Sequence, residues 1–382
     1  MDLISPSNSL EIRENLTLAI SNKQTVNELQ NRLDTAERNR EPLFNDFSDT
    51  DMIVWFLYEN KHLNRSHDRT EKSTNEYRRE IQQFVEALLV HSQEIGIDIS
   101  EVVQSSLFRS LQSRHIRKYQ EWLAASSPYV LKKGSYSPST LDRKTTILRA
   151  FLRFLYKSAY VTEPLHEGLK SANIRNDERP NRDLGPSEVV MLLNKFRSIQ
   201  HPVMFTIIHV LTTTGMRNEE FCRLKVKDLK RDTVNGGWYL RVLGKGNKMR
   251  DIPLKEKVYN SICMFRFARG LPAIDTADPE SPLFTTNTGK AYTPSYLSQY
   301  VKSQIEAVTG DIIDLSGVTI TPHVFRHAFA IISRVNGADV YDVMRSLGHE
   351  KIETTMIYLQ KIFEKEQHSI HKWDPKLFGE FI

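Results

Sequence analysis

Several polar side chains near the carboxyl end of the chain have spacings that helix packing alone does not require. Pro322 suits the first turn of a helix, where a missing backbone N–H costs nothing. Two histidines and an arginine then fall on one helical face, namely His323, Arg326 and His327. Asn336-Gly337 is predicted to end this helix. A short amphipathic segment leads to His349, and Tyr358 follows, so a guanidinium and imidazoles are directed towards one phenol.

Such a set of side chains suits phosphodiester cleavage without a metal ion. Attack on phosphorus adds negative charge to the non-bridging oxygens, and a forked, permanently protonated arginine can donate two hydrogen bonds to them. A phenol has a reference pKa of about 10, so a tyrosine nucleophile needs nearby positive charge and a proton acceptor. Arg326 is one candidate cation and Tyr358 is the candidate nucleophile. Taken alone, a helical tyrosine is more often a packing residue.

Three sequence boxes, in order, resemble the tyrosine recombinase (phage integrase) superfamily. The last box, H-x-x-R-H followed by L-G-H and T-T-x-x-Y, runs from His323 to Tyr358. The first, T-G-x-R-x-x-E-x-x-x-L, spans Thr214 to Leu224 and supplies Arg217. Between them, Leu243 to Leu254 resembles the G-K-G-N-K hairpin of the family and contains Lys245. The likeness extends over residues 50–370, and it departs from the commonest pattern after the tyrosine, at Leu359-Gln360.

The resemblance implies a role for each residue of the set. The implied catalytic residues are Arg217, Lys245, His323, Arg326, His349 and Tyr358. The two arginines would bind the phosphoryl oxygens, and the two histidines would stabilise those oxygens or transfer protons. Lys245, at a hairpin tip, would protonate the departing 5′-hydroxyl, with Lys248 as the fallback. Glu220 would orient Arg217 through an ion pair, and His327 would support the site. Neither a cofactor nor a metal ion is expected.

The length of 382 residues indicates two domains and a tail. Residues 173–183 are rich in charge and poor in large apolar side chains, which marks a linker. The predicted divisions are an N-terminal extension of unknown role (1–47), a helical core-binding domain (48–172), a linker (173–184), a catalytic domain (185–370) and a C-terminal tail (371–382). Residues 1–47 carry five basic and eight acidic groups, leaving 47 basic and 39 acidic in the rest. That excess favours a polyanionic partner, although a solvated surface explains it equally well.

Helical periodicity dominates the first domain. Ser73 and Glu76 predict a capping box before one long helix, a second helical region spans Val102 to Leu123, and a third helix begins at Ser137-Pro138. The first and third helices have basic polar faces that suit phosphate contact. The DNA-binding candidates on these faces are Arg78, Arg79, Arg143, Lys144 and Arg149. An ordinary helical bundle with a charged exterior is the alternative.

The second domain is predicted to be mostly helical with a small sheet. Alternating apolar residues at Trp238–Leu243 and Met249–Leu254, around a glycine-rich tip, predict a hairpin. The fold class is therefore mainly α with a small β-sheet, in the two-domain architecture that the resemblance implies. The two cysteines, Cys222 and Cys263, have apolar neighbours and are expected to be buried thiols in a reducing compartment.

The resemblance also implies partners. The expected function is site-specific recombination through a 3′-phosphotyrosyl intermediate, for integration, excision, transposition or resolution of a DNA element. The partners are double-stranded DNA and a homo-oligomer, expected to be a tetramer on two DNA sites, with an accessory DNA-bending or directionality protein as a further candidate. The apolar residues of the tail either dock on a neighbouring subunit or pack within their own; they are Trp373, Leu377, Phe378 and Phe381. No signal peptide or long apolar run appears, so a cytoplasmic location and no membrane partner are expected.

Two alternative functions use the same residues. In a metallohydrolase, His323 and His327 would be metal ligands one helical turn apart, but Arg326 beside them would repel a divalent ion. In a non-catalytic DNA-binding regulator, the scaffold would be kept without the chemistry. The complete set of arginines, lysine, histidines and tyrosine argues against that second alternative.

Overall fold

The computed structural model describes residues 17, 20, 25–60, 62, 68–97, 106–171, 183–244, 248–309, 318, 320–366 and 368–373. The chain divides into two compact units, residues 1–179 and 180–382. The described residues are mostly helical, with one three-stranded sheet, which confirms the predicted fold class. None of the described helices is long and apolar enough to cross a membrane. The finer domain boundaries stay a prediction, because most of the predicted linker lies outside the described residues.

Unit 1 is built from helices. They are α1 (Thr25–Asn39), α2 (Asp49–Tyr58), α3 (Glu71–Val90), α4 (Ser92–Ile95), α5 (Leu107–Ser110), α6 (Ser113–Ala125), α7 (Pro128–Lys133) and α8 (Pro138–Lys157). On α3, the apolar residues recur every three or four positions and form one buried face, as on an amphipathic helix. On α8, the predicted start is confirmed, since Ser137 is the N-cap residue and accepts a hydrogen bond from the backbone N–H of Thr140.

Helix α1 packs into the same core as α3 and α8. Its residues Leu29 and Leu33 are buried with Phe47 among the apolar side chains of unit 1. The arginine of the helix, Arg32, lies over the ring of Phe47 and pairs with Asp51 of α2. Part of the predicted N-terminal extension therefore contributes to the hydrophobic core of the helical unit.

Two details of unit 1 correct the predictions from sequence. The helix expected to begin at Ser73 begins at Glu71, because Thr70 is the N-cap and accepts from the backbone N–H of Ser73. The helical region expected from Val102 to Leu123 is interrupted after Ser110. There Leu111 is extended, and Gln112 caps a separate helix, α6. Residues 98–105 lie outside the described residues.

Unit 2 holds the sheet and the remaining helices. They are α9 (Pro186–Ser198), α10 (Pro202–Thr214), α11 (Asn218–Arg223), β1 (Leu229–Arg231), β2 (Trp238–Leu243), β3 (Met249–Leu254), α12 (Glu256–Ala268), α13 (Pro294–Thr309), α14 (Pro322–Val335), α15 (Val340–Leu347) and α16 (Ile352–Glu366). Helix α10 is apolar on nearly every face, and α9, α12 and α14 pack around it. Because α10 is held on all sides, the turn at its carboxyl end is fixed in place.

The predicted hairpin is confirmed. Strands β2 and β3 pair antiparallel, with Trp238 opposite Leu254 and Leu243 opposite Met249. Strand β1, which the sequence analysis did not predict, adds to the other edge of β2. The hairpin tip, residues 245–247, lies outside the described residues, and so does the predicted acid Lys245.

The two cysteines differ in burial. Cys222 is buried, and burial raises the pKa of its thiol to about 12, as expected for an inert thiol. Cys263 is only half-buried, so the prediction of two buried thiols was wrong for this residue. It lies on the side of α12 that carries Tyr259, outside the fully buried stripe of that helix.

Candidate active site

A glycine turn places the first arginine of the set. Helix α10 ends at Thr214, and Gly215 follows in the left-handed conformation, with φ of 58°. The chain then enters α11, and Arg217 is the N-cap residue of that short helix. Its Nη2 donates to the carbonyl oxygen of Gly348 at 3.3 Å, and its side chain is 31% exposed. Arg217 is therefore held by the protein and still open to a ligand.

Glu220 fixes Arg217 from within the protein. The Nη1 of Arg217 donates to Oε1 of Glu220 at 2.9 Å, and the backbone N–H of Arg217 donates to Oε2 at 2.7 Å. Arg250 donates to the same carboxylate through both of its terminal nitrogens. Burial of Glu220 opposes its ionisation, but the hydrogen bonds from Arg250 and Arg217 outweigh burial and lower its pKa to about 2. Glu220 is therefore ionised at neutral pH.

Arg326 is the more deeply buried arginine, with 1% of its surface exposed. It lies on α14 and donates to two backbone carbonyls, of Gly215 at 2.6 Å and of Leu347 at 2.7 Å. Burial and the positive charge of Arg217 lower its pKa to about 10, so it is still protonated at neutral pH. Arg217 and Arg326 thus bind adjacent carbonyls of one turn, at Leu347 and Gly348.

His349 completes this turn and contacts Arg326. Nε2 of His349 lies 2.8 Å from Nη2 of Arg326, and Nδ1 lies 2.9 Å from Oγ1 of Thr355. Since arginine can only donate, Nε2 is the acceptor and the ring proton lies on Nδ1. Burial, together with the charges of Arg326 and Arg217, lowers the pKa of His349 to about 3. The imidazole is therefore neutral at physiological pH.

Tyr358 lies on α16 against the three imidazoles. Its ring centroid is 4.0 Å from that of His327, 5.4 Å from that of His349 and 5.8 Å from that of His323. Its hydroxyl is 3.5 Å from Nε2 of His323, at the outer limit of a hydrogen bond. Tyr358 and His323 are half-buried, whereas His327 is buried under the ring. The phenol thus has an imidazole nitrogen beside it and an open side.

Of the two hairpin lysines, the structure describes only Lys248. Lys245 lies outside the described residues, so its predicted role stays a prediction. Lys248, the fallback, has its Nζ 2.6 Å from Oε1 of Glu350, the residue after His349. Both side chains of this pair are about 70% exposed, so the pair is weak and open to exchange.

The DNA-binding candidates of unit 1 differ in exposure. Lys144 is buried and pairs with Glu80 at 2.6 Å, so its prediction as part of a solvent-facing basic surface was wrong. Its position shares the inward face of α8 with Leu148 and Phe151. Arg149 is half-buried and donates to the carbonyl oxygen of Leu169. The other candidates, Arg78, Arg79 and Arg143, lie on α3 and α8 with exposed or half-buried side chains.

Arg79 and Arg143 form ion pairs with acidic residues of α3. Arg143 binds both oxygens of Glu76, at 2.8 and 2.5 Å, and Arg79 binds Glu80. The Arg143–Glu76 pair is largely exposed and contributes little free energy, whereas Glu80 is buried and is shared between Arg79 and Lys144. Throughout the described ranges, no three His, Cys, Asp or Glu side chains come together as a metal-ligating group.

Two site residues were missed by the sequence analysis. Thr355, fully buried, binds His349; it is part of the T-T-x-x-Y box, but no role was predicted for it. Arg250 binds Glu220 and was overlooked in the hairpin. A signal existed for Arg250, because strand alternation places it on the same face as Ile252 and Leu254, which are buried. A cation on a core-facing position predicts a buried carboxylate partner.

Comparison with known proteins gives the family. The sequence model of the phage integrase family matches residues 183–365. The chain is also 29% identical over 247 residues to the tyrosine recombinase XerC of Pediococcus pentosaceus, covering 62% of this chain and 76% of that protein. Residues 183–365 therefore carry a phage integrase domain, and the chain is similar to tyrosine recombinases. Its resemblance to a second XerC, from Chlorobaculum parvum, is weaker but longer, with 24% identity over 364 residues, 89% of this chain and 99% of that protein.

The fold of this tyrosine recombinase agrees with that assignment. It is similar to the crystal structure of the XerH site-specific recombinase bound to a palindromic difH substrate, in a post-cleavage complex. The TM-score is 0.60 at 19% identity, and the match covers 94% of this chain and 97% of that one. The recombinase family predicted from the three boxes, and the enzyme class that goes with it, are confirmed. The roles of the individual residues stay predictions.

Proposed function

We propose that this tyrosine recombinase cuts and rejoins DNA through a covalent 3′-phosphotyrosyl link on Tyr358. The observation that carries the proposal is the position of Tyr358, whose hydroxyl lies 3.5 Å from His323 in a cluster that also contains Arg326 and His349. The phenolic oxygen forms a bond to phosphorus as the bond from phosphorus to the 5′-oxygen breaks. The energy of the phosphodiester is conserved in the new bond, so rejoining needs no nucleotide cofactor.

Each charged group has a place in that reaction. Arg217 and Arg326 stabilise the negative charge that develops on the non-bridging oxygens. His323 accepts the proton of Tyr358, because its Nε2 is the ring nitrogen beside the hydroxyl. Lys245 gives a proton to the departing 5′-oxygen. His349 is neutral and orients Arg326, since its low pKa removes it as a cationic proton donor.

The same proposal extends to partners. The substrate is double-stranded DNA, which Arg78, Arg79 and Arg143 contact from unit 1, and the active assembly is a tetramer on two DNA sites. An accessory DNA-bending or directionality protein and a cytoplasmic location belong to the proposal as well. Trp373 is 46% exposed, which suits docking on a neighbouring subunit, while the other predicted docking residues lie outside the described residues.

A nicked suicide substrate tests the chemistry. When the cut releases a short strand, a covalent protein–DNA adduct accumulates and is resolved on a denaturing gel. We expect wild type to form the adduct and Tyr358→Phe to bind the same DNA without forming it. A normal adduct yield from Tyr358→Phe contradicts the choice of nucleophile. Binding without any adduct from wild type favours the non-catalytic regulator, and adduct formation that EDTA abolishes and a divalent metal restores reopens the metallohydrolase alternative.

A further inference from the structure

Arg250 is a half-buried cation on the core-facing side of the hairpin. Its side chain is 15% exposed, and it shares a strand face with the buried Ile252 and Leu254. A buried guanidinium is costly unless its hydrogen bonds and its charge are matched. Glu220 matches the charge of Arg250 and binds its two terminal nitrogens, and it also binds Arg217.

One carboxylate therefore serves two arginines. Nη1 of Arg250 lies 2.9 Å from Oε1 of Glu220, and Nη2 lies 2.7 Å from Oε2. Each oxygen also accepts from Arg217, Oε1 from the side chain and Oε2 from the backbone. The Glu220 side chain is 4% exposed. The bidentate bond to Arg250 fixes the plane of the carboxylate, and that plane fixes the direction of the Arg217 guanidinium.

The Arg250 side chain also touches the turns on both sides of the site. A Cβ placed on Gly348 would lie 3.4 Å from Cδ and from Nη1 of Arg250, and one on Gly244 would lie 3.2 Å from Nη1. Gly348 supplies the carbonyl that accepts from Arg217, and Gly244 begins the hairpin tip that carries Lys245. Arg250 thus fills the space between the hairpin and the turn before His349.

We infer that Arg250 is a positioning residue that acts on cleavage through Glu220 and Arg217. The inference rests on the proposed function, because it assigns a role within the same reaction. Without Arg250, Glu220 keeps a single cationic partner, and its carboxylate is free to rotate towards Arg217 and draw that guanidinium away from the phosphate. Misplacement of a charged group by about 1 Å lowers a reaction rate on the order of 100-fold. The loss should appear in the chemical step and not in DNA affinity.

Single-turnover cleavage of the nicked substrate, with protein in excess, measures that step. We expect Arg250→Met to cleave about 10- to 100-fold more slowly than wild type, with its dissociation constant for DNA changed by less than about threefold. Arg250→Lys should recover part of the rate, because lysine keeps the charge without the bidentate geometry. The matched control is Arg241→Met, which removes an exposed arginine–carboxylate pair from the same hairpin, with Asp251, and should cleave normally.

The decisive measurement repeats Arg250→Met in an Arg217→Ala background. If Arg250 acts through Arg217, the second substitution should slow the remaining cleavage by less than about twofold, because the group being positioned is gone. A general defect of folding would lower the rate by the same factor in both backgrounds, and that result overturns the inference. Full-rate cleavage by Arg250→Met overturns it as well. If wild type forms no adduct, the proposed function itself is wrong. That result differs from the outcomes that overturn only the role of Arg250, because in those outcomes wild type still cleaves DNA.

Discussion

Nη2 of Arg326 lies 2.8 Å from Nε2 of His349, so a buried guanidinium donates to a neutral imidazole. The direction of this hydrogen bond sets the tautomer of His349, since arginine has no acceptor atom. The proton on Nδ1 then points to Thr355, and the pKa of about 3 keeps the ring in this neutral form. The hydrogen bonds of His349 to Arg326 and Thr355 therefore hold its ring in one orientation.

Thr355→Val should slow cleavage about tenfold and lower the free energy of unfolding by roughly 1–3 kcal/mol. The substitution keeps the shape of the side chain but leaves the Nδ1 proton of His349 without its acceptor in a fully buried place. Single-turnover cleavage and urea unfolding measure the two effects. The neighbouring Thr354→Val, at an exposed position, is the control, and equal behaviour of the two variants would contradict the role given to Thr355.

A substrate with a bridging sulfur at the scissile 5′-position separates the general acid from the arginines. Sulfur leaves without protonation, so Lys245→Ala should lose about 100- to 10,000-fold on the normal substrate and recover most of it on the sulfur substrate. Arg217→Ala and Arg326→Ala should stay slow on both, because negative charge develops on the non-bridging oxygens whichever atom leaves.

Lys248→Ala is the control for this experiment, since Lys248 binds Glu350. Its cleavage rate, relative to that of wild type, should be the same on the normal substrate and on the sulfur substrate. Rescue of Lys248→Ala by sulfur, with none for Lys245→Ala, would move the acid to the other arm of the hairpin. If sulfur rescues neither variant, His323 becomes the candidate for the general acid that protonates the 5′-oxygen.

Glu220 should make stability depend on pH in the acid range. Its pKa is depressed to about 2 in the folded protein, against an ordinary value of about 4.3. Ionised Glu220 contributes roughly 3 kcal/mol to the free energy of unfolding. This contribution is fully present above the unfolded pKa and is lost as the pH falls towards 2. Urea unfolding between pH 6 and pH 3 should show a smaller fall for Glu220→Gln than for wild type. Asp251→Asn, at an exposed pair, is the control, and parallel curves for wild type and Glu220→Gln would count against the depressed pKa.

Gly215→Ala should destabilise unit 2 more than an ordinary glycine replacement. A Cβ at Gly215 would lie 2.7 Å from Cδ1 of Phe329 and 2.8 Å from Cδ2 of Leu347, at a φ of 58°. Strain at such a position costs about 1–3 kcal/mol, and the clash adds to it. Gly270→Ala is the matched control, since its φ is 65° and no atom lies within 4 Å of the added carbon. Equal falls in the thermal midpoints of Gly215→Ala and Gly270→Ala would show that the clash at Gly215 adds nothing to the backbone strain.

The sequence predicted those parts of the site that depend on local spacing. Pro322, Asn336-Gly337 and the left-handed Gly348 set the ends of α14 and α15, and with them the places of Arg326 and His349. The contact between Glu220 and Arg250 could not be predicted with the same ease, since the two residues lie 30 positions apart and meet only when the hairpin closes on α11. The prediction for Lys144 was wrong for a related reason. Its long side chain, at the edge of a helix face, was assigned to solvent, whereas it binds Glu80 of α3 in the interior.

The packing of α1 has a consequence for where this chain can be cut. Leu29, Leu33 and Phe47 belong to the core of unit 1, so a fragment that starts at residue 48 exposes the apolar groups that these side chains cover. Arg32 would also be lost, leaving Asp51 without that cation at the start of α2. Deletion of residues 1–47 would therefore yield an aggregation-prone helical unit, and shortened versions of the protein should retain α1 together with Ile20, which is buried in the same core.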